Sequence, residues 1–537
     1  MVKANMSPVL TPDEIYRSRE QLGINNSVSM LIEIVDTNKE DKIRKEAIIY
    51  LGKIGNVSDT LKEQCFETFE NLLISDDNND IKCSAAKALG RIRHEKALKP
   101  LKWIINQESC DNEVKEASLR AIAKIRFEEP EIKLFIKELD IKKQSTKAFI
   151  KKQLINLNPE ESIKLLVASL ESEGFSQEHK AEIFNLIGFE LSSINITFED
   201  SSFLKIKYPE LFSYLVQYKE VLLENITAIT IQDNTDLIDN TLAILRTLGD
   251  EVHKDLIKLL LKDNFLPKKN AIKLIGKLKL PDAVDFLIVN LDNIYNEVSI
   301  ASIEALGEIG DLSAVPELLN VLDIEDISFE YLDLDMKFYI LDAVKKIYLN
   351  NKDASYDYLY SCLETDNDII KESVAYILGE IAREDFLNQL ISLLEEKNLD
   401  VKKNSIIALG KIGNLEALDP LIKILENVYS YWIIKKVAVD AIYNIYQKNS
   451  YLLKEERKES KRLLTKSTAH LIDHLSSNES ENFKVKLSLI KVLEDYGGQP
   501  ALNALLNRVN DFHRIVRIHA SNAIRRIEKK LELENSH

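Results

Sequence analysis

Histidines, cysteines and clustered carboxylates are the side chains through which this chain could do chemistry. His470 and His474 stand four residues apart beside Asp473. On a helix that spacing puts both rings on one face, which suits two zinc ligands. No H-E-x-x-H motif and no nearby cysteine completes such a site, so a pair of surface histidines is the expectation. His513 and His519 lie six apart with no obvious partner. Cys65, Cys83, Cys110 and Cys362 form no C-x-x-C pair, which argues against a disulfide scaffold or a cysteine zinc site. Phosphate-binding loops, strand-borne dinucleotide fingerprints and nucleophile elbows are all missing from the sequence. The acidic run Asp323–Asp335, DIEDISFEYLDLD, lacks the central glycine and closing glutamate of a calcium loop. It reads as a solvated loop, with docking of a basic segment as the alternative. No catalytic residue, cofactor or metal ligand is assigned.

The elements that would position such residues are constrained by composition. In 537 residues, 71 basic and 87 acidic side chains leave a charge of −16, and 45% of the chain is apolar. That length exceeds one ordinary compact domain and implies several domains or a repeat array. An acidic chain is poorly suited to coating nucleic acid or anionic lipid non-specifically. The first ten residues carry no apolar leader, and no stretch approaches 18 uncharged apolar residues. The reading is a soluble, cytoplasmic protein with no membrane partner, in a reducing compartment.

One pattern recurs along the chain. Asn398–Leu425 reads NLDVKKNSIIALGKIGNLEALDPLIKIL, and Asn296–Leu322 reads NEVSIASIEALGEIGDLSAVPELLNVL. The unit starts at Ile43, Ile81, Val114, Pro267, Val298, Met336, Ile370, Val401, Ile434, Val485 and Val516, mostly at intervals of 31 to 38 residues. That is the length of one helical hairpin. Val401, Ser405, Ala408, Leu409 and Ile412 fall at helical spacing. Asp41, Asp80, Asn112, Asn296, Asp335, Asp368 and Asp400 precede the helices at positions expected for N-caps. A second helix follows, marked by pairs such as Ala314/Leu318 and Ala417/Leu421.

Seven of the 15 glycines, including Gly276, Gly307, Gly379 and Gly410, occupy one repeat position inside a helix. Each costs about 1 kcal/mol relative to alanine in an exposed helix, so a neighbouring helix is predicted to lie against bare backbone there. Gly55, Gly310 and Gly413, three residues later, read as left-handed terminators.

These repeats resemble the short, glycine-bearing HEAT-like repeats of phycobilisome lyases, clearly over residues 39–127 and 264–527. The resemblance implies an all-α, right-handed α-solenoid of stacked antiparallel helix hairpins with curved protein-binding surfaces. It also implies a ladder: Arg44, Lys82, Lys115, Lys268, Lys337, Lys371, Lys402, Lys435, Lys486 and Arg517 would pair with the capping acids of adjacent repeats, rather than grip phosphates. HEAT-like deoxyhypusine hydroxylases hold iron through several His-Glu pairs; here His94-Glu95 stands alone and follows the core helix.

The chain is read as an N-terminal tail (1–10), HEAT-like repeats (11–130), divergent hairpins (131–262) with a loop near Asn195–Lys207, and further repeats (263–537). The last segment holds a charged helical insertion near 447–480. Thr11-Pro12-Asp13-Glu14 is a capping box opening the first helix. The array is read as a non-catalytic scaffold or adaptor for protein partners, bound along the concave surface that the second helix of each hairpin usually lines. Six places beyond the first apolar residue the side chain points away from the buried seam. Glu304, Asp342, Tyr376, Ile407 and Asp440 occupy that place, with Tyr339 beside them, and suit a peptide or helix with apolar anchors and basic flanks. More than half of the local tyrosines, among them Tyr348, Tyr356, Tyr358, Tyr360, Tyr429 and Tyr431, are expected to be core, and Phe329–Ile445 is the expected contact region. Nucleic-acid binding, prompted by the lysine-rich Lys133–Lys152, is one alternative; a bilin-lyase-like enzyme or chaperone is another.

Overall fold

The computed structural model describes residues 10–139, 141–172, 174–194, 202–229, 235–322, 334–453 and 458–535. Helices and the turns between them account for all of these, with no strand among the described residues. The chain divides into two compact units, Met1–Leu256 and Ile257–His537. The acidic run Asp323–Asp335 lies largely outside the described residues, as do the first nine residues.

One long helix recurs in each repeat. In the first unit these are Asp41–Ile54 (α1), Asn79–Ile92 (α2), Asn112–Ile125 (α3), Gln177–Ile194 (α4) and Thr235–Leu248 (α5). In the second they are Phe265–Leu278 (α6), Asn296–Ile309 (α7), Leu334–Asn350 (α8), Asp368–Ile381 (α9), Leu399–Ile412 (α10), Trp432–Asn449 (α11), Phe483–Tyr496 (α12) and Arg514–Asn535 (α13). Within each unit the long helices meet in series, α1 on α2 on α3, and α6 on α7 through to α13. The helices between them, most of them shorter, form a second layer whose members in most repeats touch one another less.

The motif-bearing helix partners chiefly the helix that precedes it: Asp59–Ser75 with α2, Leu98–Ile105 with α3, Leu418–Glu426 with α11. It is therefore the second member of its hairpin, not the first as the sequence pattern was divided above. Reading a repeat from its glycine motif cuts each hairpin in half.

Glycine sets the spacing of the long-helix layer. A methyl added to Gly90 would lie 2.8 Å from Ala121 Cα, one on Gly276 2.8 Å from Ala305 Cα, and one on Gly410 2.8 Å from Ala441 Cα. Gly379 meets Ala408 in the same way. The helix-propensity cost is offset by contact between helices at backbone distance, where dispersion between many atoms is largest.

Helix ends depart from expectation in two ways. Asp41, Asn112, Asn296 and Asp368 are the first residues of their helices, and Asp80 and Asp400 the second; the four carboxylates among them favour the N-terminal dipole. Capping falls to the preceding residue in several repeats: Asn78 accepts from the Asp80 amide, Asp111 from Glu113, and Asn398 from Asp400 and Val401. Gly310 and Gly413 are left-handed at φ 82° and 81°, but Gly55 is right-handed. A side chain at Gly55 is excluded by space instead, since its Cβ would sit 2.7 Å from Cys65 Sγ.

The basic ladder exists with different partners. Arg44 pairs with Asp76, Lys115 Nζ with Glu138 at 2.8 Å, Lys371 with Glu396 at 2.8 Å, and Lys486 with Asp511 at 2.8 Å. Asp76, Glu138 and Glu396 are C-cap residues that close the preceding helix or helical turn, and Asp511 stands in the turn before α13, so none is an N-terminal capping acid of a long helix. Ser202–Lys207 is helical, which shortens the loop expected at Asn195–Lys207. Of the charged insertion, the described part is a 3-10 turn at Ser450–Leu453 and a helix at Lys458–Ser477.

Candidate functional site

The residues with chemical potential are placed in structural roles. His474 is buried, with Nε2 3.0 Å from Glu481 Oε2, and Lys435 Nζ reaches the same oxygen at 3.1 Å. It is thus a core group and not the surface histidine expected. His470 is half-buried, its Nδ1 2.8 Å from Glu426 Oε1. Burial by itself raises the Glu481 carboxyl, and contacts from His474, the Asn482 amide and Lys435 override it, bringing it down to about 2. His94 stacks on Phe66 at 5.0 Å and lies 2.9 Å from Glu63. Burial pushes the Cys65 thiol up to about 12 and Cys83 to about 11, far from a thiolate nucleophile at neutral pH. Among the described residues no group of three His, Cys, Asp or Glu is arranged to hold a metal ion. None of their helices is long and apolar enough to cross a membrane.

The six candidate contact residues lie on five consecutive long helices of the second unit: Glu304 on α7, Tyr339 and Asp342 on α8, Tyr376 on α9, Ile407 on α10 and Asp440 on α11. Glu304 is exposed and the other five are half-buried. Their surroundings differ from a simple acidic and apolar track. Asp342 is taken up by Lys345 and Lys346, each at 2.8 Å, and Asp440 by Lys436 at 2.5 Å and the Ser488 hydroxyl at 2.8 Å. Glu304 is the one of the three acids with no ion pair among the described residues. Lys411 Nζ lies 5.5 Å from the Tyr376 ring centroid.

The tyrosines are less buried than expected. Tyr348 and Tyr356 enter the core, stacked at 4.9 Å, with Tyr356 edge-on to Phe386. Tyr358, Tyr429 and Tyr431 are exposed, Tyr429 at 91%. Tyr331 lies outside the described residues. Loop position decides this for Tyr429 and Tyr431, which stand with Val428 on the turn before α11 and not on its seam, whereas Tyr358 lies on the helix Asp357–Leu363. Helical spacing cannot report on residues outside a helix.

Two features of the fold, a glycine-to-alanine seam and hairpins that stack chiefly on their neighbours, define the repeat class. A family model described as HEAT repeats matches residues 66–137 and 356–442, and one described as PBS lyase HEAT-like repeat matches residues 300–323. The chain carries HEAT repeats. No curated protein matches the sequence. Among solved structures the HEAT array is similar to importin beta in a polyethylene glycol condition, at 12% identity, 96% of this chain, 77% of that chain and TM-score 0.39. It is similar to a chain from the structure of Kap95p with RanGDP, at 11% identity, 94% and 77% coverage and TM-score 0.38. An engineered protein shares 18% identity over 78% of this chain and 98% of its own, at TM-score 0.23. At these TM-scores the likenesses carry no argument about what the HEAT repeats bind.

Proposed function

We propose that the chain is a non-catalytic scaffold that holds a peptide or helix of a protein partner across the outward faces of α7–α11. The observation that carries this reading is the pair Tyr376 and Ile407. Both are partly exposed, and they stand on two helices clamped together through Gly379 and Ala408. Rigidly held apolar side chains make good anchors, because little side-chain or backbone entropy is lost on binding. Closer approach within the long-helix layer than within the other bends a stack toward that layer, which favours its outward face as the inner surface of the curve. Glu304 supplies attraction for a basic flank. Asp342 and Asp440 are neutralised locally, so the acidic end of the track is confined to α7.

The test uses a peptide selected from a random library against the intact protein. Tyr376→Ala with Ile407→Asp should weaken it at least tenfold, a loss of about 1.4 kcal/mol or more, while circular dichroism stays unchanged. Undiminished affinity in a folded double variant would sink the assignment.

A further inference from the structure

In the second unit the seam position lacks glycine in α8, where Lys345 stands, and in the last three long helices, α11, α12 and α13. Nine residues beyond the first apolar position, where α6, α7, α9 and α10 carry Gly276, Gly307, Gly379 and Gly410, α11 carries Tyr443 and α12 carries Glu494. The Tyr443 hydroxyl donates to Asp495 Oδ2 at 3.0 Å, and its ring lies 6.0 Å from that of Tyr496, so this side chain stands between α11 and α12. Glu494 reaches across to Arg526 on α13. Bulky groups in place of bare backbone hold these helices apart, and a cleft of about 810 Å³ opens along α11, α12 and α13.

The charges that line this cleft are unevenly committed. Its three carboxylates are all engaged: Asp440 with Lys436 and Ser488, Glu494 with Arg526, Asp495 with Tyr443 and Lys530. Two of its lysines rest on aromatic rings instead. Lys484 Nζ lies 4.8 Å from the Trp432 ring centroid and Lys491 Nζ 4.3 Å from that of Tyr443. Both are exposed, and neither has a carboxylate partner among the described residues. A lysine on a ring at an exposed site is held only weakly and turns readily to an anion. Exposed His519 lines the same cleft. The surrounding chain shares this bias: residues 428–537 contain 19 Lys and Arg against 13 Asp and Glu, in a protein of charge −16.

We infer that this cleft receives the acidic end of a protein partner, a segment rich in carboxylates or phosphorylated side chains. The inference rests on the scaffold reading above and gives it a direction. Asp440 belongs both to the track and to the cleft, so a bound segment would run from a basic flank at Glu304, over Tyr376 and Ile407, to an acidic end at Lys484 and Lys491. A continuous nucleic-acid strand fits less well. Asp440, Glu494 and Asp495 interrupt the cationic lining where regularly spaced phosphates would pass. The side-chain amides of Asn444 and Gln447 in the cleft suit a peptide backbone.

Fluorescence anisotropy with the full chain tests this, using labelled decaglutamate, a phosphoserine-containing counterpart and an oligothymidylate of about 20 nucleotides. The expected result is binding of at least one acidic peptide, weakened at least tenfold by Lys484→Glu with Lys491→Glu. The charge-matched Arg525→Glu with Lys529→Glu, outside the cleft, should change it less than twofold. The tighter of the two peptides identifies carboxylate or phosphate as the preferred anion. Equal losses in both double variants, tighter binding of the oligothymidylate, or no peptide binding would each overturn the inference. Acidic-peptide affinity should survive Tyr376→Ala with Ile407→Asp, so failure of the apolar anchors and failure of the cleft are read separately.

Discussion

Glu190 shows what a single side chain can impose on the array. It is 2% exposed on α4, and its Oε1 accepts the Ser162 hydroxyl at 2.7 Å. Oε2 has no hydrogen-bond partner among the described residues. Burial pushes the carboxyl up to about 7, with the Ser162 hydrogen bond only partly opposing it. The folded state therefore binds this proton more tightly than the unfolded chain, whose carboxyl titrates near 4.5. Its contribution to stability is full below that value and is lost as pH rises through about 7. Glu190→Gln should stabilise the protein by about 2–3 kcal/mol above pH 7 and by little below pH 5, as read from urea midpoints across that range. A pH-independent effect would show that the carboxyl is ionised throughout. Nothing in the sequence around Glu190 marks it as buried, because the neighbours that enclose it come from other helices. His474 was misjudged for the same reason: its i,i+4 spacing from His470 was legible, but not Glu481 closing over it.

At the scale of the helix, seam glycines reverse the usual sign of a substitution. Helix propensity alone predicts that Gly379→Ala stabilises by about 1 kcal/mol. The new methyl would instead meet Ala408 Cβ at 2.7 Å and Cα at 2.8 Å, and backbone cannot move aside cheaply. A net destabilisation of about 1–3 kcal/mol is expected from overpacking. Thermal melts decide between the two, since a raised midpoint would mean that α9 and α10 are not locked through this residue. The glycine register was readable from the sequence because the residue type recurs at one offset. The pairing of each motif-bearing helix with the helix before it was not, because connectivity between equally spaced helices leaves no mark on their apolar pattern. Capping shows the same limit: acids at the first turn were visible, yet Asn78, Asp111 and Asn398 do the capping one or two residues earlier.

Over the whole molecule, opposing groups set a pH window. Burial raises Glu116, but hydrogen bonds from Lys143, Arg120 and Thr146 override it and bring the carboxyl down to about 2, as happens at Glu481. A carboxyl depressed in the folded state contributes stability above about 4.5 that is lost as pH falls toward 2. Glu190 acts in the opposite direction between about 4.5 and 7. Circular dichroism melts should therefore show a steep fall in midpoint below pH 4.5, and Glu481→Gln should flatten it at a cost in stability at neutral pH. An unchanged slope would remove the ion-paired carboxylates as its cause.

The sequence by itself determined the all-helical class, the repeat length and the positions where helices meet at backbone distance, because periodicity and glycine cost are local properties of the chain. Tertiary structure alone decided which charges remain available. Asp342 and Asp440 pair with lysines three or four residues away on their own helices, a spacing the sequence already carries, whereas Lys484 and Lys491 of α12 rest on Trp432 and Tyr443 of α11, a placement that only the stacked helices fix.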